Sequence, residues 1–217
     1  MKLKNYLTVA FIISVISLFC FACVALLLSS HQITQFDRNT IGSIQGLESP
    51  LLTSIMKIFT YIGSGTFIAI LSIIVLFFLF KRTGQRSELY LFIATILGSN
   101  ILFSVLKMFF HRARPDLHRL IEISGYSFPS GHATMAMTVY GILSFLLWRH
   151  ITTKIGRTIL IISSSIMILM IGVSRIYLGV HYPSDVIAGY FTGGFWISVA
   201  IWYYQRYQEK KYEARKV

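Results

Sequence analysis

A chain of 217 residues that is 55% hydrophobic and 13% charged excludes an ordinary soluble domain, in which about 25% of residues carry charge. Its net charge of +12 fits contact with anionic lipid at a membrane face; in so apolar a chain it does not point to nucleic acid.

The apolar residues fall in six blocks, approximately 7–28, 58–80, 89–106, 129–148, 158–174 and 186–205. The first, second, third and sixth contain no charge, and about 20 apolar residues cross a bilayer as a helix. With polar ends included, helices are predicted over about 7–28, 55–80, 88–112, 129–148, 157–177 and 183–205. The expected fold is all-α: a six-transmembrane-helix integral membrane bundle in one domain, 1–217. The first block is too long for a signal peptide, whose apolar core has roughly 7–15 residues. It holds Cys20 and Cys23, which are expected to be packed or lipid-facing bulk rather than redox or metal groups.

Between the first two helices, Ile33, Phe36, Ile41, Ile44 and Leu47 recur at three- to five-residue intervals. The spacing predicts a short amphipathic helix within 31–50, lying at the interface as a connector rather than as a gate for substrate. With the N-terminus inside, the inner segments 1–6, 81–88, 149–157 and 205–217 collect 13 of the 20 Lys and Arg. The bias predicts that both termini are cytoplasmic. The pair Gly63 and Gly65 is expected to allow close helix packing.

Three polar clusters then fall on one side of the membrane, the outer one. In the first, Lys107 and Arg114 stand seven residues apart, near one face of a helix that Pro115 ends. Two fixed cations there make an anion site. In the second, Pro129-Ser130-Gly131-His132 opens a helix. Ser130 is placed to cap it, Gly131 to let backbone approach a ligand, and the free N–H groups of a helix start suit phosphate. In the third, Arg175 adds a cation, Pro183 starts the last helix, and Asp185 follows His181 by four residues. Such a carboxylate can hold one ring nitrogen and leave the other as a nucleophile. His111, Tyr126, Phe128 and Tyr182 are expected to pack at the interface, and Arg112, Asp116, His118 and Arg119 to form a solvated loop. The carboxylates of this side are scattered among cations, which disfavours a hard metal ion needing several oxygen ligands.

The pattern Lys107…Arg114-Pro115, Pro129-Ser130-Gly131-His132 and Ser174-Arg175…His181…Asp185 resembles that of the type 2 phosphatidic acid phosphatase family in every element and spacing. The motifs occupy 107–115, 129–132 and 174–185. The resemblance implies a membrane lipid phosphate phosphatase with His181 as nucleophile, His132 as general acid and Asp185 orienting His181. Lys107, Arg114, Ser130, Gly131 and Arg175 would hold the phosphoryl oxygens. It implies a phosphohistidine intermediate, inhibition by vanadate, and no metal or other cofactor. The expected partners are a lipid phosphate and the surrounding membrane lipids. The substrate would be of the phosphatidylglycerophosphate or phosphatidic acid type, with undecaprenyl diphosphate as the alternative. A transporter of anionic lipids is the reading from another class, disfavoured by the charge-free interiors of four helices.

Overall fold

The structure, a computed structural model, describes residues 2–82, 86–116 and 118–214; of residues 2–8 and 82 it describes the backbone alone. Arg215 and Lys216, which entered the charge bias, lie outside the described residues. The described residues form eight helices and no strand: α1 (Lys2–Ser29), α2 (Thr34–Gln45), α3 (Pro50–Ile62), α4 (Gly65–Arg82), α5 (Arg86–Phe110), α6 (Gly131–Trp148), α7 (Lys154–Tyr177) and α8 (Pro183–Glu213). Helices α1, α5, α6, α7 and α8 are each long and apolar enough to cross a membrane, and α3 with α4 supplies a further span bent by 51°.

That bend departs from the single helix expected over 55–80. Gly63 closes α3, its N–H returning to the Phe59 carbonyl at 3.1 Å. The next residue, Ser64, accepts from the N–H of Phe67 at 3.2 Å and so caps α4. A stop and a start in adjacent positions redirect the chain. Helix α3 also begins five residues earlier than expected, because Ser49 accepts from Leu52 N–H at 3.3 Å and Pro50 takes the first helical position, where its missing N–H costs nothing.

Helix α6 is the axis of the bundle, packed by α5, α7 and α8, while α1 lies along α8. Half of α6's spanning window is buried, against 17% for α1; Phe19 and Leu26 of α1 face outward, as lipid contact requires. Close approach of α6 and α8 depends on small residues. A Cβ on Gly189 would lie 2.7 Å from the Ser130 carbonyl oxygen, and one on Gly193 2.6 Å from that of Thr134, so both helices pack backbone to backbone. Buried hydroxyls join the helices further: Ser99 to Thr138 at 2.7 Å between α5 and α6, and Ser144 to Ser164 at 2.8 Å between α6 and α7.

Helix α2 packs on α7 and α8 with part of the face the apolar spacing selects, Ile41 and Ile44 joining the apolar core there. Ile33, Asp37 and Ile41 are buried, whereas Phe36 and Leu47 are exposed. The buried residues are four apart and form one stripe, with an aspartate at its centre.

Candidate active site

The C-terminal ends of α5 and α7 and the N-terminal ends of α6 and α8 meet at one end of the bundle. The turn between α7 and α8 folds back on itself: Val180 and His181 both donate their N–H to the Arg175 carbonyl, at 3.2 and 3.3 Å. Gly179 takes φ +74°, and a Cβ there would fall 1.9 Å from the His118 carbonyl oxygen, so this position admits glycine alone. The start of α6 is tied to the start of α8 by Ser130 N–H donating to the Asp185 carbonyl at 2.9 Å.

This junction brings Lys107, Arg114, Gly131, His132, Arg175 and His181 onto the wall of one cavity of about 550 Å³. His181 is buried, with Nδ1 3.3 Å from Asp185 Oδ2 and Nε2 3.1 Å from Arg114 Nη1. A guanidinium only donates, so Nε2 accepts and carries the lone pair. The ring proton therefore sits on Nδ1 and faces Asp185. Burial, with help from Arg175 and Arg114 and against the attraction of Asp185, pulls the His181 pKa from its ordinary 6.5 down to about 3. The imidazole is neutral, with its free nitrogen beside a cation.

Asp185 is held from several sides. Its Oδ2 accepts from Tyr182 N–H at 2.9 Å, which caps α8, and from the Ser127 hydroxyl. Its Oδ1 accepts from Arg112 at 2.5 Å. The cations are also positioned by backbone. Lys107 Nζ donates to the Tyr126 carbonyl at 2.8 Å. Arg114 donates to the carbonyls of Gly125 and Val180, both at 2.9 Å, and burial lowers its pKa. Arg175 is buried, with Nη1 on the Thr60 hydroxyl, and its buried Nε makes no hydrogen bond. A donor so placed is costly without an acceptor, and a phosphoryl oxygen would supply one.

His132 lines the cavity in the first turn of α6, packed so close to Gly63 that a Cβ there would lie 3.2 Å from its Cδ2. Close packing thus holds for Gly63; Gly65 has open space beside it. Ser130 differs from the other phosphate-holding candidates in not lining the cavity; its hydroxyl caps α6 by accepting from Ala133 N–H at 3.5 Å. Gly131 presents the backbone to the cavity in its place, with room limited by the Phe103 ring.

Three residues of the site escape the motif spacing. Arg112, expected in a solvated loop, has a side chain only 14% exposed and bridges Asp37 at 2.7 Å and Asp185 at 2.5 Å. Its partner Asp37 lies 75 positions away, so no local pattern displays the pair. Ser127 precedes the motif by two residues and is fully buried. Of the rest of the loop, Asp116 and His118 are exposed as expected, whereas Arg119 is half-buried and donates to the Pro115 carbonyl; His111 stacks on Tyr126 at 4.6 Å between ring centroids.

Below the cations the cavity is apolar, running past Ile68, Ile96, Phe103 and Met135. Ile73 of α4 and Leu97 of α5 also line it, and both are well exposed on the outside of the bundle. The cavity therefore opens sideways between α4 and α5, where a bilayer would lie.

Comparison with known proteins agrees with this geometry. The chain is 31% identical over 184 residues to phosphatidylglycerophosphatase B of Bacillus subtilis, covering 82% of this chain and 88% of that one. It is 35% identical over 128 residues to an undecaprenyl-diphosphatase of Sulfolobus acidocaldarius, covering 57% of each. The crystal structure of a transmembrane phosphatidylglycerolphosphate phosphatase of the same type from Bacillus subtilis superposes with a TM-score of 0.81 at 25% identity, over 91% of this chain and 96% of that one. The family model of the PAP2 superfamily matches residues 88–209, a stretch that contains all three motifs, and the chain belongs to that superfamily.

Proposed function

We propose that this protein is a membrane lipid phosphatase that hydrolyses the phosphomonoester of a glycerolipid through a phosphohistidine on His181. The observation that carries the reading is a neutral imidazole nitrogen among Lys107, Arg114 and Arg175, at the head of an apolar cavity open to the bilayer side. Polar and charged groups at that depth meet a phosphate; the apolar channel meets its chain. The phosphatidylglycerophosphate or phosphatidic acid type is favoured over undecaprenyl diphosphate, since the phosphatidylglycerophosphatase relative matches most of both chains and the undecaprenyl-diphosphatase only part.

In the first step Nε2 of His181 attacks phosphorus and the P–O bond to the lipid breaks. His132 delivers its proton to the leaving oxygen. In the second step water attacks the phosphohistidine, its proton passes to His132, and the P–N bond breaks to release phosphate. Nδ1–H stays on Asp185 throughout, so positive charge developing on the ring is balanced by the carboxylate. Lys107, Arg114, Arg175 and the Gly131 N–H face the equatorial oxygens, where electrostatic stabilisation acts in a dry site. Vanadate, able to adopt five-coordinate geometry, is expected to bind there. The basic residues gathered at the other end of the bundle support a cytoplasmic location for both termini and an outward-facing site.

The test is phosphate release by purified protein in detergent with EDTA, on phosphatidylglycerophosphate, phosphatidic acid and undecaprenyl diphosphate in parallel. Release that survives EDTA and vanishes in His181→Ala supports the histidine route and ranks the substrates. A requirement for metal, or activity that persists in His181→Ala, overturns it.

A further inference from the structure

Asp37 belongs to none of the three motifs and sits on α2, a helix that by its amphipathic spacing needs to do no more than rest on the membrane. It is nevertheless 1% exposed, and each of its oxygens is engaged at the start of α8. Oδ1 accepts from the Ser184 N–H at 2.9 Å. Oδ2 accepts from the Ser184 hydroxyl at 2.6 Å and from Arg112 Nη2 at 2.7 Å. The same guanidinium reaches the Ser184 hydroxyl and Asp185 Oδ1 through Nη1, at 2.8 and 2.5 Å, and lies over the Tyr182 ring 4.0 Å from its centroid.

A buried carboxylate is costly unless paired and hydrogen-bonded. This one satisfies a free N–H at a helix start, where negative charge is favoured, and shares one arginine with the residue that faces His181. We propose that Asp37 is a positioning residue for the phosphatase reaction, acting through Arg112 and Ser184 on Asp185 and thereby on the aim of His181. The inference rests on the function proposed above. Asp37 divides the charge of Arg112, so that Asp185 keeps enough negative charge to hold Nδ1–H. It also fixes the first turn of α8, on which Asp185 stands. Without the Asp37 carboxylate, Arg112 pairs with Asp185 alone and the Ser184 N–H loses its acceptor, so the first turn of α8 keeps only its ties through Asp185. A misplacement of about 1 Å in a catalytic group can cost roughly 100-fold in rate.

The three roles open to α2 predict different kinetics. A connector would lose thermal stability and little activity on mutation. A gate for substrate would raise KM. A positioning residue lowers kcat with KM unchanged. The experiment measures kcat and KM for phosphate release from phosphatidic acid in mixed micelles, using wild type, His181→Ala, Asp37→Asn, Asp37→Glu and Ser184→Ala, each checked for a monodisperse profile and melting temperature. Asp37→Asn keeps the size and removes the charge; kcat is expected to fall about 10- to 100-fold, with KM within about twofold. Asp37→Glu is expected to recover part of the loss, because charge rather than shape is restored. Ser184→Ala removes one hydroxyl from the same junction and is expected to cost less than Asp37→Asn. It carries the test if Asp37→Asn is not monodisperse.

A kcat within about twofold of wild type for both Asp37→Asn and Ser184→Ala, or a rise in KM alone, overturns the inference. When His181→Ala is inactive, that result removes this inference and leaves the site reading standing. Full activity in His181→Ala removes the site reading and this inference with it.

Discussion

The two ends of the bundle each bury a carboxylate against an arginine, and they do different things with it. At the motif end, Arg112 joins Asp37 and Asp185, and its side chain is 14% exposed. At the opposite end, Arg149 meets Glu88 at 2.9 Å with its own side chain 46% exposed, and donates to Tyr204 at 2.9 Å. Gln208 completes that second cluster by donating to Tyr204 and Ser87, at 2.9 and 3.1 Å. These contacts tie the start of α5, the end of α6 and the length of α8, and the arginine at the C-terminus of α6 complements its dipole. Nearby lies a cavity of about 1010 Å³, larger than the one at the motif end, lined by Tyr90, Trp196, Tyr203 and Tyr207 with Arg86 and Lys211. Its lining is that of a membrane interface. The smaller cavity is lined by the His181 imidazole, by three cations and by Gly131 at the start of α6. In the proposed function, a nucleophile set among anion-holding donors makes that end reactive and leaves the other a fastened one.

The sharpest way to break the comparison is to remove the lone pair. His181→Ala is expected to lower kcat by about 1,000-fold or more, since it removes the proposed nucleophile, and to abolish trapping of phosphate on protein quenched in alkaline detergent, where a P–N bond survives. Asp37→Asn follows, with the 10- to 100-fold loss argued above. The next effect comes from Gly63, where a methyl group would lie 2.5 Å from Ile171 Cγ2 and 3.2 Å from His132 Cδ2. Gly63→Ala is expected to displace His132 and cost roughly 10-fold in kcat, because a general acid contributes about 100-fold or more when aligned. If that variant keeps full kcat, the alignment of His132 does not depend on the bend between α3 and α4.

At the other end the sign of the outcome changes. Glu88→Gln keeps the shape and removes the charge, and half-exposed Arg149 can turn to water. The expected cost is about 1 kcal/mol, a fall of about 2–4 °C in melting temperature for a chain of this size, with phosphate release within about twofold of wild type. A tenfold loss of activity would show that the two ends are coupled through α5 or α8, and the comparison would fail.

The differences in legibility follow the same physics. Each motif spans 12 residues or fewer along the chain, and the elements that carry it end or begin there, so the order of apolar blocks could place Lys107, Arg114, His132 and His181 at one membrane face. Partners drawn from remote elements had no such signal. Asp37 lies on the line Ile33–Asp37–Ile41, and counting only apolar residues substituted Phe36 and Leu47, which the structure leaves exposed. The aspartate was the informative residue on that stripe, because a charge on the buried face of a helix must have a partner. The bend was written in Gly63-Ser64, a C-cap followed by an N-cap, and was concealed by the unbroken hydropathy on both sides. Ser130 is expected both to cap α6 and to hold a phosphoryl oxygen, and its hydroxyl accepts from Ala133 N–H as a cap does.

The smallest expected effect tests the charge state on which the contrast between the ends depends. Burial holds the folded-state pKa of His181 at about 3, below its ordinary 6.5, among Asp185, Arg114 and Arg175. Below pH 6.5 the unfolded chain takes up a proton that the folded chain excludes. The contribution of this group to stability is therefore complete above pH 6.5 and is lost progressively as pH falls toward 3, by at most about 1.4 kcal/mol per unit. Between pH 7.5 and 5.5 wild type is expected to lose about 2–4 °C more in melting temperature than His181→Ala, whereas Glu88→Gln should lose as much as wild type. Equal losses in wild type and His181→Ala would mean that the folded imidazole takes up the proton. The nitrogen facing Arg114 would then lack the lone pair that separates this end of the bundle from the other.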